Sequence, residues 1–155
     1  MDFSLSDDQR AIRDGVGAVV RKFDDAYWLA RDEDGAFPRE FHRAMADAGW
    51  LGITLPPEYG GAGLGVTEAA IMMHQVANHG GGMAAASAVH INLFGPHPIV
   101  VFGTAEQKAR WLPRLVQGQD QVAFGVTEPD AGLNTTAIKT FAQKVPGGYV
   151  VNGSK

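Results

Sequence analysis

Apolar residues recur at helical spacing from the start of the chain to about Gly118. The first stretch follows Ser6-Asp7-Asp8-Gln9, a sequence typical of a capping box at a helix N-terminus. Its apolar face is predicted to contain Ile12, Val16, Val19, Val20 and Phe23. Further helices are predicted to begin at Pro38, near Thr67, near Met83 and after Thr104. The pattern therefore predicts a mostly helical domain over residues 1–118.

The boundaries between these helices follow from local chemistry. Asp32-Glu33-Asp34-Gly35 is predicted to be a polar connector, and Gly49 to follow the end of the helix that starts at Pro38. Pro113 is predicted to kink the last helix or to mark a restart. The helix near Thr67 is predicted to bury one face, which consists of Ala70, Ile71, His74 and Ala77.

After Gly118 the pattern changes to the alternation that is typical of strands. Strands are predicted at Val122–Val126 and Ile138–Lys144, a turn at Pro146-Gly147-Gly148, and a third strand from Tyr149. A lone hairpin is marginally stable, so we expect residues 119–155 to be the truncated start of a larger β domain.

Composition excludes several classes of protein. The 155 residues are 45% hydrophobic and 19% charged, with a net charge of -4, which indicates a globular chain that lacks a basic surface for nucleic acid. The absence of cysteine excludes disulfides and thiolate metal sites. The five histidines lack the spacing of metal ligands, so no metal site is predicted. Because the N-terminus is acidic and the apolar runs are short, no leader peptide and no membrane span are expected, and the cytoplasm is the default location.

The most informative stretch begins as the predicted strand Val122–Val126 and continues as Thr127-Glu128-Pro129-Asp130-Ala131-Gly132. Pro129 ends the strand, and Gly132 allows a tight turn beside several hydrogen-bonding groups. Together with Ile138-Lys139-Thr140, this sequence resembles the flavin-binding signature of the acyl-CoA dehydrogenase family. Pro-Glu-Tyr-Gly-Gly at 57–61 and Gly-Thr-Ala-Glu-Gln-Lys at 103–108 also resemble that family, so the resemblance covers essentially the whole chain.

The resemblance implies a fold and a cofactor. The expected parent has an N-terminal up-and-down helical domain, a β-barrel and a C-terminal helical bundle, and it binds FAD. Cofactor contacts are implied for Phe124, Val126, Thr127, Gly132 and Leu133. The family often has Gly-Ser-Asp where this chain has Gly132-Leu133-Asn134, so a side-chain hydroxyl is missing at Leu133.

The small-residue helix from Met83 to about Leu93 is the candidate for holding an acyl tail. Ala86, Ser87, His90 and Phe94 are spaced to share one face, and the resemblance implies that this face lines the substrate pocket, with Leu133 also near the substrate. The more common role of such small residues is close packing against a neighbouring helix.

The implied reaction is α,β-dehydrogenation of an acyl-CoA thioester to trans-2-enoyl-CoA, with an electron-transfer flavoprotein as acceptor and a homo-oligomeric enzyme. In the family the base is usually a Glu of the C-terminal domain, so no catalytic residue is assigned, and the 155 residues alone are expected to be inactive. Glu128 precedes Pro129 and is predicted to hold the loop. Two alternatives stay open: a flavin oxidase or monooxygenase of the same fold, and a non-catalytic helical binding module.

Overall fold

The computed structural model describes residues 4–155. It divides into two compact units, of which the first ends at Val122 and the second runs from Ala123 to Lys155. The sequence placed a domain boundary after Gly118. The expectation that no leader peptide is present rests partly on residues 1–3, which lie outside the described residues.

Helices make up nearly all of the regular structure in the first unit, so the prediction of a mostly α fold is confirmed. Within the described residues these are α1 Asp7–Val20, α2 Asp25–Asp34, α3 Arg39–Asp47, α4 Val66–Ala77, α5 Gly82–Phe94, α6 His97–Phe102 and α7 Ala105–Val116.

Two helices begin with the predicted capping boxes. In α1 the Gln9 N–H donates to the Ser6 hydroxyl over 3.2 Å, and the Ser6 N–H donates to the Gln9 side chain over 3.1 Å. Thr104 and Gln107 make the same reciprocal pair at the start of α7. Each box satisfies backbone donors that have no partner inside a helix. Helix α7 continues through Pro113 to Val116 without the restart that was predicted as one option.

The prediction of a polar connector at residues 32–35 was wrong, because Asp32 to Asp34 form the last turn of α2. This helix buries only Trp28, so it shows no apolar periodicity in the sequence. The limits of this helix are determined by its caps: Asp24 accepts a hydrogen bond from the Tyr27 N–H at the N-terminus, and Gly35 takes a φ of 64° at the C-terminus. Helix α6 was also missed, since Gly95 and Pro98 suggest a break in the helical pattern, although proline is tolerated in a first helical turn.

The main core lies where α1, α4 and α5 pack together. Val16, Met72 and Val89 are fully buried there, one from each helix. The predicted inner face of α4 was wrong, because Ala69, Met72 and Val76 are buried. Both stripes of α4 have helical spacing, and packing against neighbouring helices decides between them.

Four aromatic rings extend this core towards α2 and α3. Phe23 and Trp28 each lie edge-on to Phe41, with ring centroids 5.4 Å and 5.1 Å apart, and Tyr27 contacts both Phe23 and Trp28. Such edge-to-face pairs add to the burial of apolar area. The aromatic cluster explains how the short helix α2 is held with only one buried side chain.

Gly61, in the Pro-Glu-Tyr-Gly-Gly segment, allows the chain to cross itself closely. A Cβ atom at Gly61 would overlap the carbonyl carbon and oxygen of Leu55. Directly after Gly61, the Ala62 N–H donates to the Gly52 carbonyl and the Gly63 N–H to the Leu55 carbonyl, both over 2.9 Å. Only glycine fits this crossing without moving the backbone.

By length and composition alone, the segment Gly82–Phe102, which contains α5 and α6, is apolar enough to cross a membrane, with a mean hydropathy of 1.2. This is a weak indication, because core helices of water-soluble proteins pass the same test. Val89 and Ala85 of this segment pack in the core. The absence of a membrane span stays a prediction.

The second unit contains an antiparallel hairpin of β1 Phe141–Val145 and β2 Gly148–Asn152, in which Phe141 pairs with Asn152 and Val145 with Gly148. Its turn lies at Pro146-Gly147, as predicted, and Gly147 takes a φ of 83°. The strand predicted at Val122–Val126 is not formed, since no described residue pairs with it in a sheet. Alternating residues alone do not make a strand without a hydrogen-bonding neighbour.

Candidate functional site

Glu128 is the anchor of the loop that resembles a flavin-binding signature. It is only 7% exposed although it belongs to a loop. Its Oε2 accepts a hydrogen bond from the backbone N–H of Lys139 over 2.6 Å, and its Oε1 accepts one from the N–H of Thr140 over 3.0 Å. The Lys155 ammonium lies 3.0 Å from Oε1. One carboxylate therefore ties the start of the loop to its end.

These donors favour the charged form of the carboxyl group. The Lys139 N–H, with further contributions that include the Lys155 ammonium, lowers the pKa of Glu128 to about 2. Glu128 is therefore ionised at physiological pH and is far too acidic to serve as a general base, for which a pKa near the working pH is most effective. Its observed role is to hold the loop, as its position before Pro129 predicts.

A tight turn closes on itself between Glu128 and Ala131. The Glu128 N–H donates to the Ala131 carbonyl over 3.0 Å, and the Ala131 N–H donates back over 3.1 Å. Ala131 is buried, whereas Asp130 is exposed and forms a surface ion pair with the Lys139 side chain at 2.8 Å. The turn leaves the residues before and after it, Thr127 and Gly132, facing outwards.

The residues implied as flavin contacts lie around this turn. Phe124 and Thr127 are exposed, Leu133 is fully exposed, and Val126 is half-buried. Apart from its two chain neighbours, no described residue has an atom within 4 Å of the position that a Cβ would take at Gly132. Among the described residues, the N–H groups of Thr127 and Leu133 have no hydrogen-bond acceptor.

This surface fits a flat heterocycle with a polar edge. Phe124 and Leu133 offer apolar contact area, and Thr127 offers a backbone donor and a hydroxyl. The open space at Gly132 lets another molecule approach the backbone closely. Exposed apolar side chains beside unused donors are typical of a ligand surface. The residues present thus fit a flavin, and the individual contacts stay predictions.

The four residues predicted to hold an acyl tail belong to α5 in the first unit, and the structure separates them into two groups. Ala86 is buried in the core, where it packs with its neighbours. Ser87 and His90 line a cavity of about 200 Å³. Phe94 is 42% exposed, and its ring centroid lies 5.7 Å from that of His90. The shared face of His90 and Phe94 is thus observed, while a role in substrate binding stays a prediction for all four.

Two polar residues that the sequence did not single out also line this cavity. His42 is 4% exposed, and burial lowers the pKa of its imidazole. Asn92 is 1% exposed, and neither atom of its amide has a hydrogen-bond partner among the described residues. Phe37, Ile91 and Val122 supply apolar lining. Nothing in the local sequence distinguishes His42 or Asn92 from surface residues of an amphipathic helix.

No group of three His, Asp or Glu side chains within residues 4–155 is placed to hold a metal ion. The charged pairs of this part of the chain are mostly local and exposed, such as Arg43 with Asp47 and Arg114 with Asp120. Pairs of this kind contribute little to stability and do not form a site.

Comparison with known proteins identifies relatives of this chain. The family model for the acyl-CoA dehydrogenase N-terminal domain matches residues 6–119. The chain is 34% identical over 157 residues to acyl-CoA dehydrogenase FadE12 of Mycobacterium tuberculosis, covering 99% of this chain and 39% of the relative. It is 37% identical over 161 residues to acryloyl-CoA reductase (NADH) of Anaerotignum propionicum, covering 100% of this chain and again 39% of the relative. The chain thus spans about 39% of the length of these relatives.

Solved structures share the fold. The glutaryl-CoA dehydrogenase complex with glutaryl-CoA superposes with a TM-score of 0.89 at 29% identity, covering 99% of this chain and 39% of that one. PigA with FAD and proline superposes with a TM-score of 0.86 at 27% identity, covering 99% and 40%. A chain described with the electron transferring flavoprotein of Acidaminococcus fermentans superposes with a TM-score of 0.85 at 33% identity, covering 99% and 40%. With most of its length matched by the family model, the chain belongs to the acyl-CoA dehydrogenase family.

Proposed function

We propose that the full-length protein carrying these residues is a FAD-dependent oxidoreductase that converts an acyl-CoA thioester to its trans-2-enoyl-CoA. The observation that carries the proposal is the loop held by Glu128, which exposes Thr127 and Leu133 beside a tight turn. The loop resembles the family's flavin signature, and the N–H groups of Thr127 and Leu133 within it have no acceptor among the described residues.

The residues of this chain would bind and orient the cofactor. Phe124 and Leu133 would cover apolar surface of the ring system, and Thr127 would donate to its polar edge from the backbone and the hydroxyl. Gly132 would let the cofactor or substrate approach the backbone. When bound, FAD supplies the acceptor for the hydride that leaves the β-carbon. The fixed loop contributes by holding its donors in place before the ligand arrives.

The acyl tail of the substrate is assigned to the face of α5 that carries Ser87, His90 and Phe94. Ala86, which is buried in the core, would limit how deeply the tail can enter. We assign no base on this chain. Glu128 has a pKa of about 2, and its oxygens accept hydrogen bonds within the loop, so it is not assigned as the base. We therefore expect the 155 residues alone to have no dehydrogenase activity.

An electron-transfer flavoprotein is the proposed electron acceptor, and a homo-oligomer in the cytoplasm is the proposed state of the enzyme. Support for the acceptor comes from the similarity to a chain described together with such a flavoprotein. Oligomeric state and location rest on the family resemblance and the composition.

A second candidate is a flavin oxidase or monooxygenase. Two observations favour it: this chain has Leu133 where the family often has serine, and its fold is shared by PigA, which is described with FAD and proline rather than with an acyl-CoA. Leu133 is fully exposed and cannot donate from its side chain. A non-catalytic helical module is the alternative from another class.

Product analysis with the purified full-length protein distinguishes the three candidates: the dehydrogenase, the flavin oxidase or monooxygenase, and the non-catalytic module. The flavin is released and identified, and the protein is then incubated with acyl-CoAs of several lengths and an artificial electron acceptor. The proposal expects FAD and a product lighter by two hydrogens, with no need for oxygen. Oxygen-dependent turnover that gives peroxide or a hydroxylated product supports the second candidate. Protein that carries no flavin and turns over none of the acyl-CoAs contradicts both enzymatic proposals.

A further inference from the structure

Lys155 makes two contacts that tie the end of the second unit to the centre of the candidate site. Its Nζ donates to the backbone carbonyl of Val126 over 2.9 Å and lies 3.0 Å from Oε1 of Glu128. The Glu128 side chain is 5% exposed and that of Lys155 is 33% exposed. An ion pair between two exposed side chains would contribute little, but here the carboxylate is buried and the ammonium also makes a charge-assisted hydrogen bond to the backbone.

The bonded carbonyl belongs to the same peptide unit as the N–H of Thr127. A peptide unit is planar, and no peptide bond in the described chain is cis. The Val126 C=O and the Thr127 N–H therefore point in opposite directions. An ammonium that fixes the direction of the carbonyl also fixes the direction of the N–H, and it polarises that N–H as a donor.

We propose that Lys155 is a positioning residue. By donating to the Val126 carbonyl, it orients the Thr127 N–H, on the opposite side of the same peptide unit, towards the ligand surface. The inference rests on the proposed function, since the Thr127 N–H matters if this surface binds a flavin. Glu128 fixes the ammonium itself: the buried carboxylate supplies the charge that keeps Lys155 at the carbonyl. Lys155 would touch neither substrate nor cofactor.

The orientation of this peptide can be measured by nuclear magnetic resonance of the full-length protein without bound cofactor. Lys155→Met removes the ammonium and keeps most of the apolar stem. Lys144→Met is the matched control, because Lys144 is an exposed lysine of the same unit on β1. We expect Lys155→Met to move the Thr127 amide nitrogen and Val126 carbonyl resonances and to speed hydrogen exchange at Lys139 and Thr140, while resonances of the helical unit stay in place. Lys144→Met should leave all of these unchanged.

The second measurement uses the full-length protein with FAD. We expect Lys155→Met to raise the dissociation constant of FAD about tenfold and to shift the visible flavin spectrum, because a charge-assisted hydrogen bond that orders the donor is lost. Unchanged Val126 and Thr127 resonances in Lys155→Met overturn the positioning role. If those resonances move but no form of the protein binds FAD, the positioning role stands and the proposed function fails.

Discussion

The backbone N–H of Lys139 donates to Oε2 of Glu128 over 2.6 Å, although eleven positions separate the two residues. Thr140 makes the equivalent bond to the other oxygen over 3.0 Å. One buried carboxylate thus closes the loop of residues 128–140, which contains the tight turn at its start and the exposed residues 132–136 beyond it. These two hydrogen bonds hold the glycine-containing loop in one conformation.

Replacing the anchor with its neutral analogue should loosen this loop. Glu128→Gln keeps the shape but gives one position an NH₂ group, which would face an N–H donor instead of accepting from it. We expect hydrogen exchange at Lys139 and Thr140 to rise about tenfold or more, because bonds to a charged acceptor are stronger than bonds to a neutral one. Asp130→Asn, which removes only the exposed ion pair, is the control and should change neither rate appreciably. Equal exchange in the two variants would refute the anchor role.

The same carboxylate makes the loop tolerant of acid. The pKa of Glu128 is lowered from 4.5 to about 2 in the folded chain, so its contribution to stability is complete above about pH 4.5 and is lost as the pH falls towards 2. The Lys139 and Thr140 amide resonances, followed by nuclear magnetic resonance, should therefore hold their positions from pH 7 to about pH 4. A titration of these two amides centred near pH 4.5 would show that the carboxyl group is not held as described.

The close chain crossing at Gly61 should not tolerate even one added methyl group. Gly61→Ala would force the loop away from the Leu55 carbonyl and should cost about 1–3 kcal/mol of the free energy of unfolding. Gly125→Ala is the control, since no described residue other than its chain neighbours has an atom within 4 Å of its Cβ position and its φ is not positive. Urea unfolding of both variants measures the difference. A Gly61→Ala chain as stable as the control would mean that the crossing is looser than observed.

Phe94 should limit how far an acyl tail can extend if its face of α5 lines the pocket. Phe94→Ala in the full-length protein should shift the selectivity towards longer acyl-CoAs by up to about fourfold per carbon, as each buried methylene contributes about 0.8 kcal/mol. Phe102→Ala, which shortens an exposed side chain of α6, serves as the comparison and should leave the chain-length profile as it is. The profile is read from kcat/KM across an acyl-CoA series. If Phe94→Ala folds and shows the original profile, this face does not line the pocket.

Much of the fold could be predicted from the sequence because several helices carry their signals locally. Ser6 with Gln9 and Thr104 with Gln107 mark helix starts by side chains that satisfy nearby backbone donors. Helix α2 could not be predicted from apolar periodicity, since it is held mainly through Trp28 and the aromatic cluster, whose members meet only in the folded chain. The inner face of α4 was misjudged because two stripes had the same spacing.

The candidate site was predictable to the extent that it lies in one continuous stretch. Pro129 predicts the turn, and the resemblance implies its use. The part expected of Gly132 was wrong, because the turn closes between Glu128 and Ala131 and Gly132 follows it without a positive φ. The anchoring bonds from Lys139 and Thr140, and the contact of Lys155 with Val126, join positions that are distant in sequence. Asn92 and His42 became notable only through their burial, which residue type alone does not reveal.

The most direct test of the proposed flavin site compares Thr127→Val with Thr135→Val in the full-length protein. Thr127 is expected to donate its hydroxyl to the flavin, whereas Thr135 is held through its backbone N–H, which donates to the Leu133 carbonyl over 3.0 Å and survives the substitution. Loss of the hydroxyl at Thr127 should weaken FAD binding by about 1–3 kcal/mol and shift the flavin reduction potential, while Thr135→Val should match the unmodified protein. Equal FAD affinity and equal potential in the two variants would contradict the claim that the loop held by Glu128 presents Thr127 to the cofactor.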